Sequence, residues 1–288
     1  MSASEAATQV NSPFLPSPAA ARRLLIWHQG ALGDLLLALP TMKALAHHYP
    51  QAEFTALGHP ARWRLFQETL PLAAIWNSGD RLWLELYAEK DISPELAAQL
   101  ADFDLAVVFT PRPDSLPLDR FREMGLPCLW LPSFPTGGEM AVTAYQHSFL
   151  RQAGIAPPEP DGRLRLSPAA LDRARQWRQE HHPPSPVIAL APGSGHPKQN
   201  WPLPSYLELA AALRDHYGAM VWWILGPAEA DYEVSLRELL PPPARLFLTN
   251  LPLPTLAAHL YWCDYYLGND SGVTHLAAAV GGPWILAL

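Results

Sequence analysis

Residues 264–283, DYYLGNDSGVTHLAAAVGGP, change periodicity within a few positions, and that change restricts the fold more than any other feature of the chain. The aromatic, apolar run at 264–267 has the length and composition of a short buried strand. It breaks at Gly268, and Val273, Leu276, Ala277 and Val280 then recur at helical spacing. A strand, a tight polar loop and a helix start follow one another directly. Asn269, Asp270 and Ser271 are all good N-cap residues, and the unpaired N–H groups of a first helical turn attract anions such as phosphate. The loop is therefore either a capped strand-to-helix turn, a common element of α/β proteins, or the floor of a nucleotide pocket.

The same succession recurs along the chain. Apolar runs at 24–27, 52–57, 73–76, 105–109 and 128–131 alternate with segments expected to be helical at 34–48, 61–68, 96–100 and 141–153. After a helix over 168–180, strands at 187–190, 220–225, 245–248, 264–267 and 284–288 alternate with helices at 204–217, 229–240 and 256–261 and the helix opening at Gly272. Continuous apolar strands between helices predict an α/β fold with doubly wound parallel sheets. Two domains of ordinary size fit into 288 residues. The proline-rich HHPPSP at 181–186 reads as the linker between a domain over 22–180 and a second over 187–288. Since the sequence ends inside a strand, the second domain reads as incomplete, with a covering helix expected beyond Leu288.

Charge and composition exclude several functions. A net charge of −7 without a dense Lys/Arg run argues against holding nucleic acid through its backbone. Cys128 and Cys263 lie far apart and form no metal or redox motif, so buried small thiols in a reducing cytoplasm are the simplest reading. His181 and His182 lack a partner at metal-site spacing. Residues 1–21 lack a signal-peptide core and read as a disordered leader, and no apolar run of membrane-spanning length occurs. Peripheral contact with a membrane is compatible with this composition.

Four polar features fall where strands give way to loops, the edge at which open α/β sheets bind ligands. They are Asp34, the loop 191–198 (APGSGHPK), Glu229, and the loop 269–272 (NDSG). The lysine loop is not a P-loop, because Pro197 and Gln199 flank Lys198 where Gly and Ser or Thr are required. Gly30 and Gly33 give a two-glycine turn, not the three-glycine dinucleotide fingerprint, so an NAD site is poorly supported. The set suits a nucleoside diphosphate. Gly193 and Gly195 allow close backbone approach, Lys198 offers charge, and the N–H groups of Ser271, Gly272 and Val273 can donate to phosphate. Asp270 would repel phosphate and better accepts sugar hydroxyls, and Glu229 can hold a ribose. The simpler alternatives are a solvated lysine and an acid at a helix start.

Three segments carry a family resemblance: LLIWHQGALGDLLLALPTMKALAHHYPQAEF at 24–54, IALAPGSGHPKQNWPLPSYLELAAAL at 188–213 and LGNDSGVTHLAAAVGGP at 267–283. Together they resemble glycosyltransferase family 9, the bacterial lipopolysaccharide heptosyltransferases and their relatives. The resemblance implies a GT-B fold, two Rossmann-like domains facing a cleft, with an acceptor on the N-terminal side and a nucleotide sugar on the C-terminal side. It implies an inverting transfer with no metal and no cofactor. Carried onto this sequence, Asp34 is the general base and Gly30 and Gly33 lie on the acceptor side. Gly193, Ser194, Lys198, Glu229, Asp270, Ser271, Gly272, Val273 and His275 belong to the donor side. Without the resemblance, His275 would read as a packing residue. The residues His28 to Ala31 depart from the small polar residues the family often carries before its Leu-Gly-Asp.

The implied reaction moves a heptose from ADP-heptose to a lipid-linked acceptor, the lipopolysaccharide inner core, in the cytoplasm or at the inner face of the inner membrane. The alternatives are a related transferase using another nucleotide sugar and a non-catalytic nucleotide-sugar or glycan-binding protein.

Overall fold

The computed structural model describes residues 15–88, 91–136, 140–181, 186–196, 198 and 200–288. The chain divides into two compact units, Met1–Gly162 and Arg163–Leu288. Of the leader expected over 1–21, residues 1–14 lie outside the described residues. Over 15–21 the chain turns, with the amides of Ala20 and Ala21 donating to Ser17 O, and Ala21 is fully buried.

In the first unit β1 (Arg23–His28), β2 (Glu53–Gly58), β3 (Leu72–Asn77), β4 (Leu105–Thr110) and β5 (Cys128–Pro132) form one sheet in the order β3-β2-β1-β4-β5. Every pairing is parallel. The inner strands are unbroken apolar runs because helices cover both faces; Leu24, Leu25, Ile26, Leu105, Ala106, Val107 and Val108 have no exposed surface.

The helix expected over 34–48 is two helices, α1 (Leu32–Leu37) and α2 (Leu39–His48). Pro40 lies at the second position of α2 and has no N–H to give to Leu36 O, which ends the first helix. Around the sheet follow α3 (Pro60–Trp63), α4 (Arg81–Leu84), α5 (Pro94–Leu100), α6 (Leu116–Glu123) and α7 (Val142–Gln152). The short helices α4 and α6 were not evident from apolar spacing: α4 buries only Trp83 and α6 only Pro117, Leu118 and Phe121.

The second unit begins with α8 (Pro168–His181), which packs within that unit. Arg178 donates to Trp262 O and to Asp264 Oδ2, and Trp262 Nε1 donates to Leu171 O at 2.9 Å. His181, read with the linker, closes α8, its ring stacked on Trp177; residues 182–185 lie outside the described residues.

The strands β6 (Val187–Ala191), β7 (Met220–Leu225), β8 (Leu246–Thr249), β9 (Tyr265–Gly268) and β10 (Trp284–Ala287) form a second all-parallel sheet, ordered β10-β9-β6-β7-β8. The other helices are α9 (Leu203–Tyr217), α10 (Ala230–Leu239), α11 (Leu253–Tyr261) and α12 (Gly272–Val280). Leu190, Tyr206, Trp223 and Leu236 form a buried core between β6, β7, α9 and α10.

Both sheets have one connectivity: the first strand of each unit is central, the next two add on one side and the last two on the other. Strand order therefore reverses between β1 and β4 and again between β6 and β9, and loops leaving those carboxyl ends frame a crevice. Both cysteines are buried, and burial pushes each thiol up to about 12. No helix among the described residues is long and apolar enough to cross a membrane.

Candidate functional site

In the second unit the loops after β6 and β9 leave from either side of the reversal, which makes neighbours of two stretches far apart in sequence. Asn269, 2% exposed, joins them. Its Nδ2 donates to Pro192 O at 2.8 Å, and its Oδ1 accepts from the Trp201 N–H at 2.9 Å. In the sequence the residue stood out as a candidate helix cap and as the first residue of the polar loop 269–272. The capping part is taken by Ser271, extended at φ −156° and ψ 166°, whose Oγ accepts from the Thr274 N–H. A cap at Ser271 leaves the Gly272 and Val273 N–H groups, at the first two helical positions, without intrahelical acceptors. The turn expected to attract an anion therefore presents the Gly272 and Val273 N–H groups at the start of α12.

Glu229 reaches the same place from β7. It ends a single 3₁₀ turn, Pro227–Glu229, and its Oε2 accepts the Gly226 N–H at 2.8 Å. Gly193 has no room for a side chain, because a Cβ there would collide with Oε1, Cδ and Cγ of Glu229. The glycine is needed for this close approach; a carboxylate from β7 lies directly over the β6 loop.

Ser194 Oγ donates to Asn200 Oδ1 and accepts the His196 N–H at 3.1 Å. Lys198 is exposed on this loop; its neighbours Pro197 and Gln199 lie outside the described residues. Asp270 is turned to solvent, with 89% of its side chain exposed and its Oδ1 3.8 Å from His275 Nε2. The structure therefore brings Gly193, Ser194, Glu229, Ser271, Gly272 and Val273 to one sheet edge, with Lys198, Asp270 and His275 on its open side.

In the first unit Asp34 is the third residue of α1, and its Oδ2 accepts the Ala31 N–H at 2.9 Å. Gly33 precedes it inside the helix. A Cβ on Gly30 would stand 2.7 Å from His28 Cε1 and 2.8 Å from Asp34 Oδ2, so the imidazole and the carboxylate flank one point that only glycine leaves open. His28, 3% exposed, takes the Gly30 N–H on Nδ1 at 3.2 Å. Arg62 Nη1 donates to Gly30 O at 2.8 Å. Burial, and after it the Arg62 charge, lowers His28 to about 4, so its ring is neutral at neutral pH and carries its proton on Nε2. His28 stood out in the sequence only as a departure from the family pattern; its contacts make it part of the Asp34 loop.

Residues 122–286, more than half of the chain, match the family model of glycosyltransferase family 9 (heptosyltransferase). The chain belongs to glycosyltransferase family 9. As a member it is a nucleotide-sugar glycosyltransferase, and the matched residues contain both loops joined by Asn269, with Asp34 upstream of them. No curated protein matches this family 9 chain in sequence.

The fold is similar to that of a family 9 glycosyltransferase from Veillonella parvula DSM 2008, at 17% identity and a TM-score of 0.74 over 92% of this chain and 80% of that one. The ADP-heptose lps heptosyltransferase II of E. coli is similar at 19% identity and a TM-score of 0.66, over 92% and 84%. The E. coli heptosyltransferase WaaC with ADP is similar at 14% identity and a TM-score of 0.60, over 92% and 93%. These structures and the two parallel sheets establish the GT-B fold for this family 9 chain.

Proposed function

We propose that this glycosyltransferase moves a heptose from ADP-heptose to the lipopolysaccharide inner core, with inversion at the anomeric carbon and without a metal. The observation that carries the reading is the joined pair of loops after β6 and β9, where the glycine-rich loop bearing Lys198 is bonded at both stems to Asn269, which leads into α12. Two similar structures, one named for ADP-heptose and one with ADP, support the choice of nucleotide.

In the reaction an acceptor hydroxyl gives its proton to the Asp34 carboxylate as its oxygen bonds to the anomeric carbon. The bond from that carbon to the diphosphate oxygen breaks, and ADP departs with the electron pair. One base suffices for this displacement. Lys198 and the Gly272 and Val273 N–H groups stabilise the charge growing on the diphosphate. Glu229 and Asp270 accept from sugar hydroxyls. An acceptor held in a membrane places the protein at the cytoplasmic face of that membrane.

Calorimetry with ADP, UDP and GDP, followed by a transfer assay, tests this. ADP is expected to bind most tightly; preference for UDP or GDP would move the reading to another nucleotide sugar, and binding without transfer would make the chain a non-catalytic binder. Gly193→Ala must push the Glu229 carboxylate aside and cost its charge-assisted bond to Gly226. ADP affinity is expected to fall by about tenfold or more. Unchanged affinity in the same calorimetry would remove Glu229 from the donor site.

A further inference from the structure

We propose that Asn269, supported by Thr274, is a positioning residue that holds the Lys198 loop and the N-terminus of α12 in one arrangement for the donor diphosphate; this rests on the reading of those loops as the donor site. Pro192 and Trp201 are the two stems of the loop on which Lys198 sits, and one buried side chain from the β9 turn grips both. The bonds also fix which way the amide points, since only its nitrogen can face the Pro192 carbonyl and only its oxygen the Trp201 N–H. Inside the loop the Ser194 hydroxyl ties Asn200 and His196, so the excursion is closed on itself.

The backbone of Asn269 is held from the other side. Thr274 Oγ1 donates to Asn269 O and lies 2.9 Å from the hydroxyl of Tyr266, which is 1% exposed. The Thr274 N–H donates to the capping Ser271 Oγ, which is 3.2 Å from Thr274 Oγ1. Tyr266, Thr274 and Asn269 are all buried, so this chain of polar groups runs from the cap of α12 to both stems of the lysine loop through the interior. Charge stabilisation is strongest when donors are already in place as charge develops. The loop that carries Lys198 is thus anchored at both stems by the residue that precedes the α12 turn.

The test uses Asn269→Ala, Asn269→Asp, Thr274→Val and Thr274→Ser, with ADP affinity by calorimetry, KM for donor and acceptor, kcat and thermal unfolding. In Asn269→Asp an anionic oxygen faces the Pro192 carbonyl, and in Asn269→Ala both loop stems lose their partner. Both, together with Thr274→Val, are expected to weaken ADP and raise the donor KM by about tenfold or more, with the acceptor KM unchanged. Thr274→Ser restores the hydroxyl and is expected to bring affinity back to within about threefold of the unaltered protein.

If the Asn269 variants fail to fold, the Thr274 pair decides, since it differs mainly by one hydroxyl. Variants that unfold earlier yet keep the donor KM and ADP affinity would overturn the inference, as would Thr274→Ser binding no better than Thr274→Val. An unaltered protein that binds no nucleoside diphosphate would overturn the donor-site reading and this inference with it, which separates that failure from a failure of positioning alone.

Discussion

Asp34→Asn is expected to lower kcat for glycosyl transfer by about 10²–10⁴-fold, the contribution of one well-placed general base. The substitution keeps the shape of the side chain, and an amide oxygen can still accept the Ala31 N–H that now bonds Oδ2 at 2.9 Å. The start of α1 and the loop at Gly30 should therefore persist while the proton acceptor is lost. The donor KM should hardly change, because the groups proposed to hold the donor lie on another unit of the chain. Steady-state kinetics with both substrates varied gives the result. Turnover near that of the unaltered enzyme would remove Asp34 from the chemistry, and an equal rise in both KM values would make it a structural cap.

The second large effect is acid destabilisation centred on His28. Burial first and the Arg62 guanidinium second hold its imidazole at about 4, against 6.5 for the unperturbed group. Between those values the unfolded chain takes up a proton that the folded chain refuses. Stability therefore falls as pH drops from about 6.5 and stops falling on this account below about 4, a loss of about 3 kcal/mol in all.

His48, His147 and His259 are also lowered, chiefly by burial, and add to the fall in the same direction. His28→Asn isolates the one residue, since an amide oxygen can accept the Gly30 N–H in place of Nδ1. Denaturant unfolding at pH 7 and pH 4 should show a smaller loss in this variant than in the unaltered protein, by about 3 kcal/mol. Equal losses in the two proteins would show that His28 is not the group that titrates.

These two residues also show what could be read in advance. Asp34 is marked by a local pattern, an apolar strand running into a glycine turn and a helix, and every residue of that pattern lies within a few positions of it. His28 lies in the same pattern, but its burial and its neutral state come from Phe109, Arg62 and Trp63, which are distant in sequence. Likewise Gly193 is recognisable as a glycine of a loop, while the reason for it is Glu229, brought over it from β7. The break at Ala38 needed only Pro40 and was open to local reasoning. The attachment of α8 to the second unit was not, because it rests on bonds spanning 84 and 86 residues.

The sequence by itself determined the ten strands and most of the helices, the doubly wound α/β class, and the polar loops at strand ends that carry Asp34, Lys198, Glu229 and Ser271. Side-chain periodicity and turn chemistry act over a few residues, so the chain states them locally. Only the tertiary structure decided that β6 and β9 are neighbours and that Asn269 bonds groups 68 and 77 residues away. Strand order is selected by how the covered sheet packs as a whole, and many orders satisfy the same alternation of strand and helix. The site is legible as residues in the sequence; as an arrangement it exists only once the sheet has closed.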